Sequence, residues 1–189
     1  MRDFRLPGDE AIFHALNGLK LPWLDAVMVF ATSREFGLAM ALFAGLWVLG
    51  SLRKAAIRAV AQAGLAVLIT DRVGHAVIKP LIGRIRPCYA LPKGTFRQLA
   101  EAGNAGSLPS LHAANAFAVA MAVTLVWPYS ARVVFPLAAL IAVSRVFVGV
   151  HWPSDVAAGA LFGCAVSALI HFTVTLLLKH RQPPRPVAP

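Results

Sequence analysis

Four stretches of this chain, residues 36–52, 111–127, 133–150 and 156–178, run for 17 to 23 residues with Arg145 as their one charged side chain. Hydrocarbon offers the backbone no water to bond, so a stretch of this kind must close its own N–H and C=O groups as a helix. At 1.5 Å per residue, roughly 20 residues cross the ~30 Å of a bilayer core. A fifth stretch, residues 55–69, is interrupted only by Arg58 and Gln62 and is predicted to run on as helix towards Lys79. The composition agrees: 58% of the 189 residues are apolar and 14% charged, outside the range of a soluble domain, and the length suits one domain. The expected fold is all-α, a polytopic membrane helix bundle with five strong transmembrane helices and N-terminal interfacial helices, a sixth span being open. One membrane domain is expected over residues 1–180, and the Pro-rich tail 181–189 is expected to be disordered.

The interfacial assignment rests on residues 9–20, where Ile12, Phe13, Leu16 and Leu19 recur at helical spacing with polar residues between. Residues 21–31 contain Pro22 and Asp25 and are short for a span. Charges between Arg2 and Glu35 nearly cancel, so they do not place the N-terminus on either side. Elsewhere the basic residues sort the connections. Arg53, Lys54 and Arg58 lie on one, Arg132 on another, and Lys179, Arg181 and Arg185 after the last span. Five spans put these three groups on a single face, which the positive-inside rule makes cytoplasmic. Residues 71–108 and 151–155 then share the outer face. Against that rule the outer loop keeps Lys79, Arg84, Arg86, Lys93 and Arg97, which points to an anion that they hold.

Nucleic acid is not that anion. The net charge of +10 is dispersed or set beside apolar spans, with no basic tract and no patch interleaved with aromatics. No early apolar region leads to a small-residue cleavage site, so no cleavable signal is expected. Cys88 in the outer loop and Cys164 inside the last span are badly placed to meet, and no disulfide is expected.

Residues suited to chemistry gather at the outer ends of the spans. His151 and Asp155 are four apart, a spacing that puts both on one helical face if the last span begins near Trp152. The carboxylate can then hold one imidazole nitrogen and leave the other free to attack. Read without function, Pro153-Ser154-Asp155 is simply a helix start with an acidic first turn. Arg145, after Ser144, either snorkels to the interface or offers a guanidinium fork to phosphate. At ~5% usage per residue type, Ser-Arg-x5-His-x3-Asp has a chance of about 6 × 10⁻⁶ per starting position. Ser110 stands as a natural N-cap before the run from Leu111, where unpaired N–H groups make an anion site. His112 on that first turn can give a proton to a leaving alkoxide, or be structural. Lys79 and Arg86 flank Gly83, with Pro87 following; they form either a basic collar or, with Arg145, a cluster that stabilises phosphoryl oxygens.

Taken in order, Lys79-x6-Arg86-Pro87, Pro109-Ser110-Leu111-His112 and Ser144-Arg145-x5-His151-x3-Asp155 resemble the type 2 phosphatidic acid phosphatase superfamily. Its signature is Lys-x6-Arg-Pro, Pro-Ser-Gly-His and Ser-Arg-x5-His-x3-Asp. The one departure is Leu111 where the signature has Gly, which brings a side chain next to the phosphate-binding turn. The resemblance implies that His151 forms a phosphohistidine, that Asp155 orients it, and that His112 protonates the leaving oxygen and then activates water. It implies that Lys79, Arg86, Ser110, Leu111 and Arg145 bind the substrate phosphate. It also implies no metal or other cofactor, and the outer loops lack the carboxylate cluster that Mg²⁺ requires.

Phe13-x3-Asn17 and Leu24-Asp25-Ala26 before an apolar span look similar to the N-terminal part of bacterial undecaprenyl-diphosphate phosphatases within the superfamily. The expectation is therefore a lipid-phosphate phosphatase of the bacterial inner (cytoplasmic) membrane, with its site on the periplasmic face. Its partners are a lipid phosphate substrate and the membrane lipids, and undecaprenyl diphosphate is favoured as the substrate. Phosphatidylglycerophosphate or lipid A phosphatases, a lipid phosphotransferase, and a non-catalytic lipid-binding or transport protein are the alternatives. The stretch from Arg97 to Gly106 is a candidate cover for the pocket.

Overall fold

The computed structural model describes residues 1–51, 54–103 and 106–180, and among these described residues nine α-helices make up most of the fold. Two short helices come first, α1 (Asp9–Asn17) and α2 (Pro22–Ala31), followed by α3 (Arg34–Ser51) and α4 (Lys54–Val73). A π-helical turn, Gly74–Ile78, joins α4 to the one-turn helix α5 (Lys79–Ile82), and α6 (Pro87–Ala90) sits in the following loop. The bundle closes with α7 (Leu111–Val126), α8 (Ala131–Phe147) and α9 (Pro153–His180). Among the described residues the one β-type pairing is an isolated bridge between Arg2 and Arg84. Arg53 and the tail 181–189, with Arg181 and Arg185, lie outside the described residues.

The long helices stand where the apolar runs put them, and α4 does continue through the π turn to Lys79. Their individual fitness to span is less uniform than the expected five. By length and composition, two described helices qualify alone: α8 together with the turn before it (Pro128–Phe147), and α9. A third span arises if Pro22–Ala31 and Arg34–Ala44 cross as one pair bent by 58°. The apolar helix α7 has 16 residues, short of the roughly 20 that a straight span uses. Outward-facing Leu161, Leu169, Phe172, Leu176 and Leu177 on α9, and Leu38, Leu42 and Phe43 on α3, are all more than half exposed. That is the surface of a bundle solvated by lipid.

Lipid gives apolar helices no hydrophobic reason to associate, so close packing of small residues must hold them. The central helix α7 packs on α9, α4 and α8, and its face to α9 is built of Ala113, Ala114 and Ala118. Opposite lie Gly159 and Gly163. A Cβ added at Gly163 would stand 2.0 Å from the Ala114 carbonyl oxygen, and one at Gly159 would stand 2.4 Å from that of Ser110. Polar pairs fix the third partner: Thr70 Oγ1 donates to Asn115 Oδ1 at 2.6 Å, tying α4 to α7, and His171 meets Gln62 at 3.1 Å, tying α9 to α4.

Helix α1 is amphipathic in a different sense from the expected one. Ile12 and Leu19 are about half exposed, whereas the stripe Asp9, Phe13 and Asn17 is buried against α8 and α9. Phe13 joins Leu91, Val146 and Trp152 in a core cluster beneath the loops. Asn17 bonds the carbonyls of Arg97 and Phe147, each at 2.7 Å, and accepts the Arg97 N–H at 2.8 Å.

Candidate active site

The first turn of α7, the last turn of α8, the first turn of α9 and the segment around α5 and α6 meet at one end of the bundle. Gly149 makes the turn from α8 towards His151 possible. Its φ of +86° favours glycine, and a Cβ there would lie 2.3 Å from the Arg97 carbonyl oxygen. His151 precedes α9 rather than opening it, and its backbone N–H bonds Arg145 O at 3.2 Å.

His151 is buried, with its two ring nitrogens facing different partners. Nδ1 lies 3.3 Å from Asp155 Oδ2, and Nε2 lies 2.8 Å from Arg86 Nη1. A guanidinium can only donate, so Nε2 is the acceptor and the ring proton resides on Nδ1, towards Asp155. Burial first, then the positive charges of Arg86, Arg145 and Lys79 and the nearby His112, hold this imidazole well below its usual pKa. A neutral ring with an unprotonated Nε2 is the nucleophilic form of histidine.

Around that nitrogen stand three buried cations. Lys79 Nζ donates to Gly106 O at 3.1 Å, Arg86 Nη1 also reaches Val150 O at 3.1 Å, and Arg145 Nη1 bonds Thr32 Oγ1. Among the described residues no carboxylate pairs with any of them. Burial, then Arg86, pushes the Lys79 ammonium down to about 8. Arg86 Nε, Arg145 Nε and Ser110 Oγ are buried without a hydrogen-bond partner. Ser110 occupies the N-cap position of α7, but its hydroxyl makes no capping bond, which corrects the simple capping expectation. Its backbone N–H instead bonds Asp155 O at 2.9 Å. His112, one residue into α7, keeps part of its surface accessible and lies near His151 and the three cations.

Leu111 occupies the position that would be Gly in the signature, and its side chain packs on Gly74 of the π turn. Its Cδ2 would lie 2.3 Å from a Cβ on Gly74, so the π turn supplies the space that the Leu side chain fills.

A family model described as the PAP2 superfamily matches residues 58–178, a stretch that contains every residue of the cluster. The chain belongs to the PAP2 superfamily. It is 26% identical to the lipid A 4′-phosphatase of Bacteroides thetaiotaomicron over 99% of this chain and 86% of that protein. It is 30% identical to phosphatidylglycerophosphatase B of Bacillus subtilis, over 86% of this chain and 81% of that one. The crystal structure of LpxE from Aquifex aeolicus shares the fold, with a TM-score of 0.71 at 23% identity over 88% of this chain and 96% of that one. This PAP2 chain is therefore a membrane protein of a lipid phosphatase family.

Sequence reasoning missed what lies behind Asp155. Ser107 Oγ donates to Asp155 Oδ2, the Trp152 N–H reaches the same oxygen at 2.8 Å, and Arg84 Nη1 meets Oδ1 at 2.6 Å. Arg84 is wholly buried and also pairs with Asp9. Burial acts to raise the Asp9 carboxyl, but bonds from Ser154, Arg84 and Leu6 bring it below its usual range. Arg84 was legible as an outer-loop cation of this PAP2 sequence; Asp9 gave no signal beyond an acidic first turn. At the other end of the loop, Arg97 is pinned by Asp25 at 2.9 Å and Leu99 N–H by Val148 O at 3.0 Å, so the start of the expected cover is anchored.

Proposed function

We propose that this PAP2 protein removes a phosphate group from a lipid head group through a phosphohistidine on His151. The supporting observation is that Lys79, Arg86 and Arg145, buried and without a carboxylate partner among the described residues, surround an unprotonated His151 Nε2. Buried charges left unpaired are costly, and a phosphoryl group with its oxygens spread over three cations offsets that cost. On substrate binding Arg86 exchanges Nε2 for a phosphate oxygen. Nε2 then attacks phosphorus, an N–P bond forms as the bond to the lipid oxygen breaks, and His112 gives that oxygen its proton. Water attacks in the second step, returns a proton to His112 and breaks the N–P bond. Inorganic phosphate leaves and His151 is again neutral. Ser110 and the backbone at Leu111 hold phosphate oxygens, Asp155 keeps the Nδ1 proton in place, and no metal takes part.

The cation distribution supports an outer-face site, periplasmic in a bacterial inner membrane. The N-terminal motif supports undecaprenyl diphosphate as the lipid, although Phe13 and Asn17 of that motif serve packing. The full-length similarity to a lipid A 4′-phosphatase supports lipid A as a second reading. Phosphate release from undecaprenyl diphosphate, lipid A, phosphatidylglycerophosphate and phosphatidic acid, measured in parallel in detergent with chelator present, separates them. His151→Ala should abolish release from the preferred lipid without changing the melting temperature. Turnover retained by that variant overturns the proposal.

A further inference from the structure

We infer that Arg84 and Asp9 are positioning residues of the reaction, forming with the N-terminal segment a relay that sets the orientation of Asp155 and through it His151. The inference rests on the phosphohistidine reading above. Asp9 lies outside the stretch matched by the family model, residues 58–178, and Arg84 lies between the signature residues Lys79 and Arg86.

The geometry is that of a clamp. Asp155 divides its two oxygens: Oδ2 faces His151 Nδ1 at 3.3 Å, and Oδ1 accepts from Arg84 Nη1 at 2.6 Å. A carboxylate can rotate about its Cβ–Cγ bond; Ser107 Oγ and the Trp152 N–H hold Oδ2, and Arg84 holds Oδ1, so Arg84 completes the set of bonds that fixes the carboxylate plane facing the imidazole. Arg84 is itself fixed from every side. Nη2 pairs with Asp9 Oδ2 at 2.5 Å, Nε donates to Phe4 O at 3.1 Å, and Nη1 also reaches Ser154 Oγ at 2.7 Å. Its guanidinium carbon lies 4.9 Å from the Phe4 ring centroid and 5.8 Å from that of Trp152. Asp9 in turn holds the start of α9, accepting the Ser154 N–H at 2.9 Å and its hydroxyl at 2.7 Å. The backbone of Arg2 pairs with Gly83 and Ile85 on either side of Arg84, so the N-terminal strap and the clamp are one unit.

The fork geometry favours the same role. Two buried carboxylates share Arg84. The planar fork of arginine holds both at once, which a lysine point charge cannot do. The bonds from Arg84, Ser107 and the Trp152 N–H orient Asp155 as an acceptor for the Nδ1 proton.

The test uses the full chain in detergent, with Arg84→Gln, Arg84→Lys and Asp9→Asn. A misplacement of ~1 Å among reacting groups costs about 10²-fold in rate. Arg84→Gln is expected to lower kcat about 100-fold with KM within about threefold of wild type, and Asp9→Asn, one bond further from Asp155, to lower kcat about 10-fold. Arg84→Lys keeps the charge and loses the fork, so kcat should lie between wild type and Arg84→Gln. A second readout needs no turnover. In ¹⁵N-histidine-labelled protein, the downfield Nδ1–H resonance of His151, assigned by its loss in His151→Gln, should persist in wild type and disappear in Arg84→Gln. Should Arg84→Gln fail to fold, Asp9→Asn and Arg84→Lys carry both readouts. The inference is overturned if the resonance and kcat survive in the variants, or if kcat falls only in step with a falling melting temperature. A wild-type protein that releases no phosphate from any lipid tested refutes the phosphatase reading instead, and the resonance still reports on the clamp.

Discussion

Gly163→Ala should disable the site although residue 163 lies far along α9 from the chemistry. The added Cβ would stand 2.0 Å from Ala114 O, 2.8 Å from Ala114 C and 3.0 Å from Ala118 N. All three are backbone atoms of α7, so no side chain can turn aside. An ordinary carbon–oxygen contact needs about 3.4 Å, and the two helices must separate by roughly 1.4 Å along that line. Helix α7 carries Leu111 and His112 with Ser110 at its N-cap, and α9 carries Asp155; the bond from Ser110 N to Asp155 O at 2.9 Å joins their ends. A misplacement of ~1 Å in a catalytic constellation costs about 10²-fold in rate, and overpacking costs about 1–3 kcal/mol of stability. The assay is kcat for phosphate release by the purified protein, read beside its melting temperature. Gly64→Ala is the control, since a Cβ there meets nothing within 4 Å; it should leave kcat unchanged. If Gly163→Ala keeps both kcat and melting temperature, the close α7–α9 crossing does not set the site geometry and the reasoning fails.

Gly74→Ala should push Leu111 out of its recess towards the phosphate turn and raise KM several-fold. Leu111→Gly in the same chain should restore it, so a double-mutant cycle showing additive effects refutes the pairing. Lys79, with its ammonium near 8, is charged below that pH and neutral above it. KM should therefore rise as pH passes through about 8 in wild type, and Lys79→Arg should flatten this limb of the profile. His112→Gln should slow lipid monoesters far more than a substrate with an aryl phosphate leaving group, because a good leaving group needs no proton. Equal losses on both would remove the general-acid role.

The bundle was legible wherever apolar length alone decides structure. Residues 111–127 and 156–178 contain the signal for α7 and α9 without any tertiary information, since hydrocarbon leaves an apolar backbone no choice but helix. Span credentials were less legible, because α7 is short and α4 carries Arg58 and Gln62, so their place in the bundle depends on partners. The contacts of Gln62 with His171 and of Thr70 with Asn115 are long-range facts that no local period contains. The same limit applied to α1. Its apolar residues suggested a helix lying on a surface, and the buried stripe proved to be Asp9, Phe13 and Asn17, two of them polar and each bonded to a segment distant in sequence.

The outer-loop cations illustrate why charge type can be read while charge role cannot. Lys79, Arg84, Arg86, Lys93 and Arg97 look alike in a string that contradicts the positive-inside rule. Three dimensions divide them by what they face. Arg84 meets Asp9 and Asp155 and Arg97 meets Asp25, so both are neutralised within the fold and hold loops in place. Lys79 and Arg86, joined by Arg145 from α8, meet carbonyls, a hydroxyl and an imidazole nitrogen, none of which cancels a charge. Lys93 is exposed to solvent, and the rest of the excess that a counting rule treats as an anomaly has two physical origins: part is internal bracing, and part is concentrated where His151 presents Nε2. Only the second part calls for an external anion, which under the proposed function is the phosphoryl group of a lipid.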